Sequence, residues 1–143
     1  MTTHRRWLMV PAVVLFMASA TKAQGPTVTP AQAAPFIGTW VFSMSAPPHF
    51  KGIVQTVRVW NENGRIAASF QVDQFPALKV TGAYRDGDML VLTLSLDAER
   101  PLRENGVPIR TVIMLTPDGD GMRMAQMRDN SQAIERGIGK KQP

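Results

Sequence analysis

A period-two alternation of apolar and polar residues recurs along this chain after residue 35, and it constrains the fold more than any other feature. It is clearest in residues 65–73, 78–85 and 89–96, where apolar side chains occupy every second position. Such alternation is typical of strands with one buried and one exposed face. No window after residue 35 shows a convincing helical period, so the chain is predicted to be all-β. The pattern predicts strands at 37–44, 52–60, 65–73, 78–85, 89–96, 107–116, 121–128 and 132–138.

Two kinds of connection join these strands. Tight Gly/Asn/Asp turns at 61–64, 86–88 and 117–121 alternate with longer segments that carry proline and bulky apolar residues, at 45–51, 74–77 and 97–106. In an up-and-down meander, alternate connections lie at opposite ends, so we expect the tight turns at one end and the longer loops at the other. Eight antiparallel strands of this length can close on themselves, which removes exposed edges. We therefore predict an eight-stranded antiparallel up-and-down β-barrel, with an open meander or a sandwich as the alternative.

The N-terminal residues have the order of a secretory signal peptide. A basic run is followed by an apolar stretch, which Pro11 interrupts, and then by small residues up to Ala23. The stretch is shorter than the ~20 residues that a membrane-spanning helix needs. We predict a signal peptide at 1–23, cleaved at Ala20 or Ala23, with an uncleaved anchor as the alternative. A flexible leader at 24–35 and a barrel domain at 36–143 would follow, in a secreted or periplasmic protein with no membrane span after cleavage.

Composition narrows the classes of function. The formal net charge of +5 falls to about +2 when Arg5, Arg6 and Lys22 leave with the signal peptide, so nucleic-acid binding is not expected. The chain of 143 residues has no cysteine, which excludes thiol catalysis and cysteine-ligated metals. We expect no cofactor.

The segment FIGTW, residues 36–40, stands at the start of the first predicted strand. With the eight alternating strands and a late arginine, it resembles the Gly-x-Trp signature of the calycin group, which includes lipocalins, fatty-acid-binding proteins and avidins. The resemblance implies that Gly38 and Trp40 are structural, and that Trp40 closes the barrel floor beneath a basic residue. Arg136 is the residue that the resemblance suggests for that place, with Lys140 in reserve.

The chain also departs from each of these families. It has seven residues between the first two predicted strands, where fatty-acid-binding proteins have two helices. It lacks room for the larger lid and the final helix usual in lipocalins, and the biotin-contacting residues of avidins are not recognisable. What remains is closest to a minimal lipocalin-like barrel of bacterial type.

Two patterns could suggest other chemistry. His49 lies in the loop at 45–51, but no nucleophile motif or orienting carboxylate accompanies it, so we favour an exposed imidazole and predict no enzyme activity. Asp118 and Asp120 have a spacing found in calcium loops, yet no Glu follows at the distance such a loop needs. We interpret them as parts of a hairpin turn and predict no metal site.

A barrel of eight strands can be filled by side chains or can hold one small ligand. Gln55 and Gln126 fall on faces otherwise occupied by apolar residues, so each would need a partner inside the barrel. The methionines at 89, 114, 122, 124 and 127 favour core filling. The residues that we predict to contact a ligand are Phe50, Gln55, Phe75, Tyr84, Leu102 and Gln126.

The sequence leaves more than one function open. The favoured hypothesis is an exported barrel that binds a small apolar ligand. The alternative is a filled barrel that acts through its surface on another exported protein, as an inhibitor or accessory module. A hydrolase- or isomerase-like barrel that uses His49 is a third and weaker hypothesis.

Overall fold

The structure is a computed structural model, and it describes residues 27–44, 52–95, 103–104, 107–108, 110–128 and 134–143. A short helix α1 (Pro30–Ala33) and a 3₁₀ turn (Ala34–Phe36) precede the strands. The strands are β1 (Gly38–Met44), β2 (Val54–Glu62), β3 (Arg65–Val72), β4 (Leu78–Lys79), β5 (Gly82–Asp86), β6 (Met89–Ser95), β7 (Arg103–Glu104), β8 (Val107–Pro108), β9 (Arg110–Asp118), β10 (Gly121–Arg128) and β11 (Glu135–Lys141). The predicted signal peptide lies outside the described residues. Among those residues, no helix has both the length and the apolar character to cross a membrane.

Nine of the strands form one antiparallel sheet in the order β4-β3-β2-β1-β11-β10-β9-β6-β5, and β7 pairs with β8 separately. The prediction of an all-β, antiparallel, up-and-down sheet is confirmed. The predicted number of strands and the predicted closure are not, because the sheet is a curled, open half-barrel of nine strands.

The extra strand arises because the predicted strand 78–85 is divided in two. Its first part, β4, pairs with β3, and its second part, β5, pairs with β6. Val80 N–H donates to the carbonyl of Ala68 at 2.9 Å, whereas Thr81 N–H donates to the carbonyl of Thr93 at 2.8 Å. The chain therefore changes its pairing partner between two consecutive residues. As a result, β4 and β5 are the two edge strands of the sheet.

The two ends of the curled sheet differ as the sequence predicts. Two-residue turns at 63–64, 87–88 and 119–120 join β2 to β3, β5 to β6 and β9 to β10, all at one end. Asn63 (φ 55°) and Gly64 (φ 82°) both have positive φ, as a tight hairpin turn requires. The longer connections leave the strands at the opposite end. We call these the turn end and the loop end.

The inner face is apolar over most of its height. Large side chains from six strands are almost fully buried there: Trp40, Phe42, Val57, Val59, Phe70, Leu90, Leu92, Leu94, Ile113, Leu115, Met122 and Met124. Burying such side chains contributes about 1.5–3 kcal/mol each, so this face is the main source of stability. The core fills the turn end and the middle of the sheet.

The structure differs from the expected flexible leader at 24–35, of which it describes residues 27–35. Thr29 caps α1: its side chain accepts from the backbone N–H of Gln32, and the Gln32 side chain accepts from the N–H of Thr29. Val28, Ala33 and Phe36 are buried in the core. The segment is therefore a capped helical turn that packs against the turn end of the sheet.

The last strand begins three residues later than the predicted 132–138, and its inner face carries glycines. A Cβ on Gly139 would lie 2.5 Å from the Phe42 ring, and a Cβ on Gly137 would lie 2.8 Å from Met44 Sδ. The neighbouring strand β1 thus fills the space that side chains on β11 would otherwise occupy. Because glycine carries no apolar signal, the alternation that would have marked this strand is hidden in the sequence.

Candidate functional site

Trp40 closes the turn end of the inner face. It is 4% exposed, and its indole Nε1–H donates to the carbonyl of Phe36 at 2.8 Å. The ammonium of Lys141 lies 5.7 Å from the centre of the Trp40 ring, within the range of a cation–π contact. Gly38 has φ 137°, and a Cβ there would meet Lys141 Cε at 2.5 Å, so the Gly-x-Trp spacing lets the lysine side chain cross to the indole.

The basic residue over Trp40 is therefore Lys141, where the resemblance suggested Arg136 or Lys140. Strand register explains the difference, because Lys141 is directly opposite Trp40 whereas Arg136 is opposite Ala125. Arg136 is also exposed and lies on the outer face, since the buried positions on β11 are Gly137 and Gly139. The strand begins three residues later than predicted and ends at Lys141, so the residue opposite Trp40 is five positions beyond Arg136.

Gln55 and Gln126 both point to the inner face of the curled sheet. Each is 2% exposed, and each carboxamide Oε1 has no hydrogen-bond partner in the part of the chain that the structure describes. Gln55 is the second residue of β2 and Gln126 is the third from the end of β10, so both lie toward the loop end. Their inward direction follows from the period-two alternation, as predicted.

Three further inward residues place polar atoms at the same end: Thr111 on β9, Arg128 on β10 and Glu135 on β11. Gln126 is directly opposite Glu135, and Arg128 is directly opposite Thr111. Directly opposed residues on antiparallel strands have Cβ atoms about 4.5–5.5 Å apart. These residues therefore form one contiguous patch with Gln126, while Gln55 faces the interior from β2. We call the five residues the inner polar layer.

Each residue of the inner polar layer contributes one buried atom that lacks a partner among the described residues: Gln55 Oε1, Thr111 Oγ1, Gln126 Oε1, Arg128 Nε and Glu135 Oε2. A buried polar group without a partner costs about 1–3 kcal/mol, and more when it is charged. Native proteins keep such groups rare and satisfy them with water, an ion or a ligand. Five such atoms lie toward the loop end of the inner face, and within the described residues they are the buried polar side-chain atoms without a partner.

The other residues predicted to contact a ligand are not in this layer. Tyr84 is on the outer face of β5, beside a cleft of about 460 Å³ between β3 and β5. Phe75 is exposed and lines a second cleft with Val54 and Asp73. Phe50 and Leu102 lie outside the described residues.

The sequence also raised calcium binding by Asp118 and Asp120 and catalysis by His49. Asp118 ends β9 and Asp120 lies in the turn between β9 and β10. Asp118 Oδ2 lies 3.6 Å from Arg123 Nε on the surface. Within the described ranges, no group of three or more His, Asp or Glu side chains could hold a metal ion. His49 lies outside those ranges.

The methionines divide between the two faces of the sheet. Met122 and Met124 are buried inside, whereas Met89, Met114 and Met127 lie on the outer face. A cleft of about 530 Å³ on that face is lined by Met89, Met114 and the 66%-exposed Ile138, among others. Core filling, which the sequence favoured for all five, therefore describes only the inner two.

Sequence reasoning missed Thr111, Arg128 and Glu135, although two of them had a readable signal. Thr111 shares its face with Ile113 and Leu115, and Arg128 follows Gln126 by two residues. Extending the alternation by one step would have placed both inside. Glu135 had no such signal, because the inner residues that follow it are glycines.

Comparisons with protein-family models, with curated proteins and with solved structures found no match to this chain. The likeness to the calycin group thus remains a resemblance of motif and strand order. The shape of the sheet is compatible with a lipocalin-like barrel.

Proposed function

We propose that this protein is an exported barrel that binds one small, mainly apolar ligand at the loop end of its interior. The observation that carries the proposal is the inner polar layer, whose five buried atoms lack partners among the described residues. An interior built only for stability would gain by replacing these groups with apolar ones of similar shape. Their presence instead supports a binding role.

The surroundings of the layer suit a ligand with an apolar body. Leu94 is directly opposite Thr111 on the neighbouring strand, and Val72 is directly opposite Gln55. Met44, at the loop end of β1, is also buried. Small-molecule sites are mostly apolar with a few convergent polar groups, and this end of the interior has that composition.

A matched pair of variants on one strand tests the site. Thr111→Val removes an inward hydroxyl of the layer, whereas Thr116→Val makes the same change on the outer face of β9. Binding of a neutral fluorescent dye such as Nile red, and its displacement by amphiphiles, would be measured by titration. We expect saturable dye binding, and we expect amphiphile affinity to fall in Thr111→Val but not in Thr116→Val. Absence of saturable binding by the unaltered protein would refute the proposal.

A second candidate function is supported by the outer face. Ile138, Met89 and Met114 form an apolar surface there, and such surfaces often contact other proteins. In this case the protein would act as an interaction or accessory module for an exported partner. Sedimentation of the purified protein tests the simplest form: Ile138→Glu should abolish any self-association, whereas Gln126→Met should leave it intact.

Export is itself part of the proposal and has a separate test. We propose that the N-terminal segment is cleaved and that the protein acts outside the cytoplasm without catalytic activity. Mass spectrometry of the protein from fractionated cells should find a mature N-terminus just after Ala20 or Ala23. An intact N-terminus in the cytoplasmic fraction would contradict export.

A further inference from the structure

We infer that the ligand's inner end is a neutral group with several hydroxyls, as in a glycerol monoester, and not a carboxylate, a phosphate or an amine. This inference rests on the proposed binding function and adds the chemistry of the polar end. It follows from the balance of donors and acceptors in the inner polar layer.

The unpartnered atoms of the layer are mostly acceptors. Gln55 Oε1, Gln126 Oε1 and Glu135 Oε2 accept only, and Thr111 Oγ1 can accept. Arg128 Nε is the only obligate donor among the five. The two carboxamides also carry N–H donors beside these oxygens, so an occupant that satisfies the layer must both donate and accept hydrogen bonds.

Hydroxyl groups meet this requirement, since each can donate one hydrogen bond while accepting another. A glycerol head has two of them on adjacent carbons. One hydroxyl can donate to Gln126 while accepting from Arg128, and the other can donate to Glu135, directly opposite Gln126. The register thus places a donor requirement and an acceptor requirement side by side.

The charges of the layer disfavour ionic heads. Arg128 and Glu135 give it one positive and one negative side chain, and no ion pair joins the two within the described chain. A carboxylate or phosphate would meet the Arg128 guanidinium but would face the Glu135 carboxylate. An ammonium would meet the Glu135 carboxylate but would face the Arg128 guanidinium. In a buried site, where charges interact strongly, either mismatch lowers affinity.

The test uses probes that share one saturated chain and differ only in the head: monododecanoylglycerol, dodecanol, dodecanoic acid and dodecylamine. Each would displace Nile red from the full chain at neutral pH, below its critical micelle concentration. We expect the glycerol ester to bind about tenfold more tightly than the acid and the amine, which corresponds to the loss of one to two hydrogen bonds. Dodecanol, with one hydroxyl, should lie between.

Substitutions in the inner polar layer then test where the polar head of the probe lies. Gln126→Met removes an acceptor and keeps the length of the side chain, so it should weaken binding of the glycerol ester about fivefold to tenfold. Thr111→Val serves as a second variant should Gln126→Met fail to fold, and Thr116→Val is the matched outer-face control.

The outcomes separate the two proposals. If neither Nile red nor any amphiphile binds saturably, the proposed function fails, and this inference with it. If Nile red binds but the acid or the amine equals or exceeds the glycerol ester, only the inference is overturned. Equal affinity of the ester for the unaltered protein, Gln126→Met and Thr111→Val would also overturn it, because the head would then lie elsewhere.

Discussion

The turn end and the loop end of the half-barrel differ in how their buried polar atoms are satisfied. At the turn end, Trp40 hydrogen-bonds to Phe36 and packs beneath Lys141, so its polar atom is satisfied and its ring is covered. At the loop end, Gln126 and Thr111 are equally buried, but their inward oxygens have no partner among the described residues. The turn end therefore has a buried polar atom that is satisfied, whereas the loop end keeps buried polar atoms that lower the stability of the fold.

This contrast indicates where to look for function in a fold of this kind. The Gly-x-Trp segment draws attention in the sequence, but its surroundings explain it fully as a structural element. The inner polar layer has no motif, and no internal contact among the described residues accounts for its unpartnered atoms. We therefore assign stability to the first region and propose binding for the second.

The largest expected loss of stability comes from a substitution in the apolar core. Phe42 is fully buried, so Phe42→Ala should lower the free energy of unfolding by about 3–5 kcal/mol because it leaves a cavity. Chemical denaturation monitored by tryptophan fluorescence would measure it. Ile138→Ala, at an exposed site on the neighbouring strand, should change stability by less than about 1 kcal/mol. Similar losses from both variants would remove the distinction between inner and outer faces.

Gly139→Ala sharpens the same comparison through overpacking. The added methyl would meet the Phe42 ring at 2.5 Å, so we expect a loss of about 1–3 kcal/mol in unfolding free energy. The double variant Phe42→Leu with Gly139→Ala should recover part of that loss, because the smaller side chain makes room. A double-mutant cycle with no coupling energy would show that the two residues do not meet.

In the inner polar layer, an apolar substitution should raise the free energy of unfolding, whereas in the apolar core substitutions lower it. Gln126→Met replaces a buried group that has no described partner with an apolar side chain of similar size. It should raise the unfolding free energy of the unliganded protein by about 1 kcal/mol. Thermal unfolding with and without a bound amphiphile would measure this. Destabilisation of the ligand-free protein would mean that Gln126 already has a structural partner and that the contrast between the two ends is wrong.

The smallest effect concerns the cation over Trp40. Lys141→Met should cost about 0.5–1 kcal/mol and shift the Trp40 emission, because the residue is exposed and the contact is partly solvated. Arg136→Met is the matched control on the same strand and should leave that emission unchanged. A shift in the control alone would restore Arg136 as the basic residue of the floor.

How far the sequence predicts this molecule depends on whether inner positions carry apolar side chains. The predicted 65–73, 89–96 and 121–128 closely match β3, β6 and β10, because leucine, phenylalanine and methionine mark their inner faces. The prediction placed the last strand three residues too early, because Gly137 and Gly139 leave its inner face without apolar side chains. Alternation predicts which face each side chain points to, but not which strand a residue pairs with. It therefore could not show that residues 80 and 81 pair with different strands.

The same limit applies to the candidate site. Gln55 and Gln126 were identified because each interrupts an apolar face, which is a purely local signal. That Glu135 is opposite Gln126 depends on register between strands, and no local pattern contains it. The helical turn at residues 30–33 was readable, since Thr29 and Gln32 have the spacing of a capping box around a proline.

The pairing of β1 with β11 also bears on the order in which the chain folds. Most other strand pairs join neighbours along the sequence, so they can form as local hairpins, whereas this one brings together segments about 100 residues apart. Gln142 N–H adds a further link to the carbonyl of Thr39 at 2.8 Å. We therefore expect the ladder between β1 and β11 to form late, with slow appearance of amide-exchange protection at the N–H groups that bond across it. Until then, Trp40 would remain uncovered and its emission would report the completion of folding.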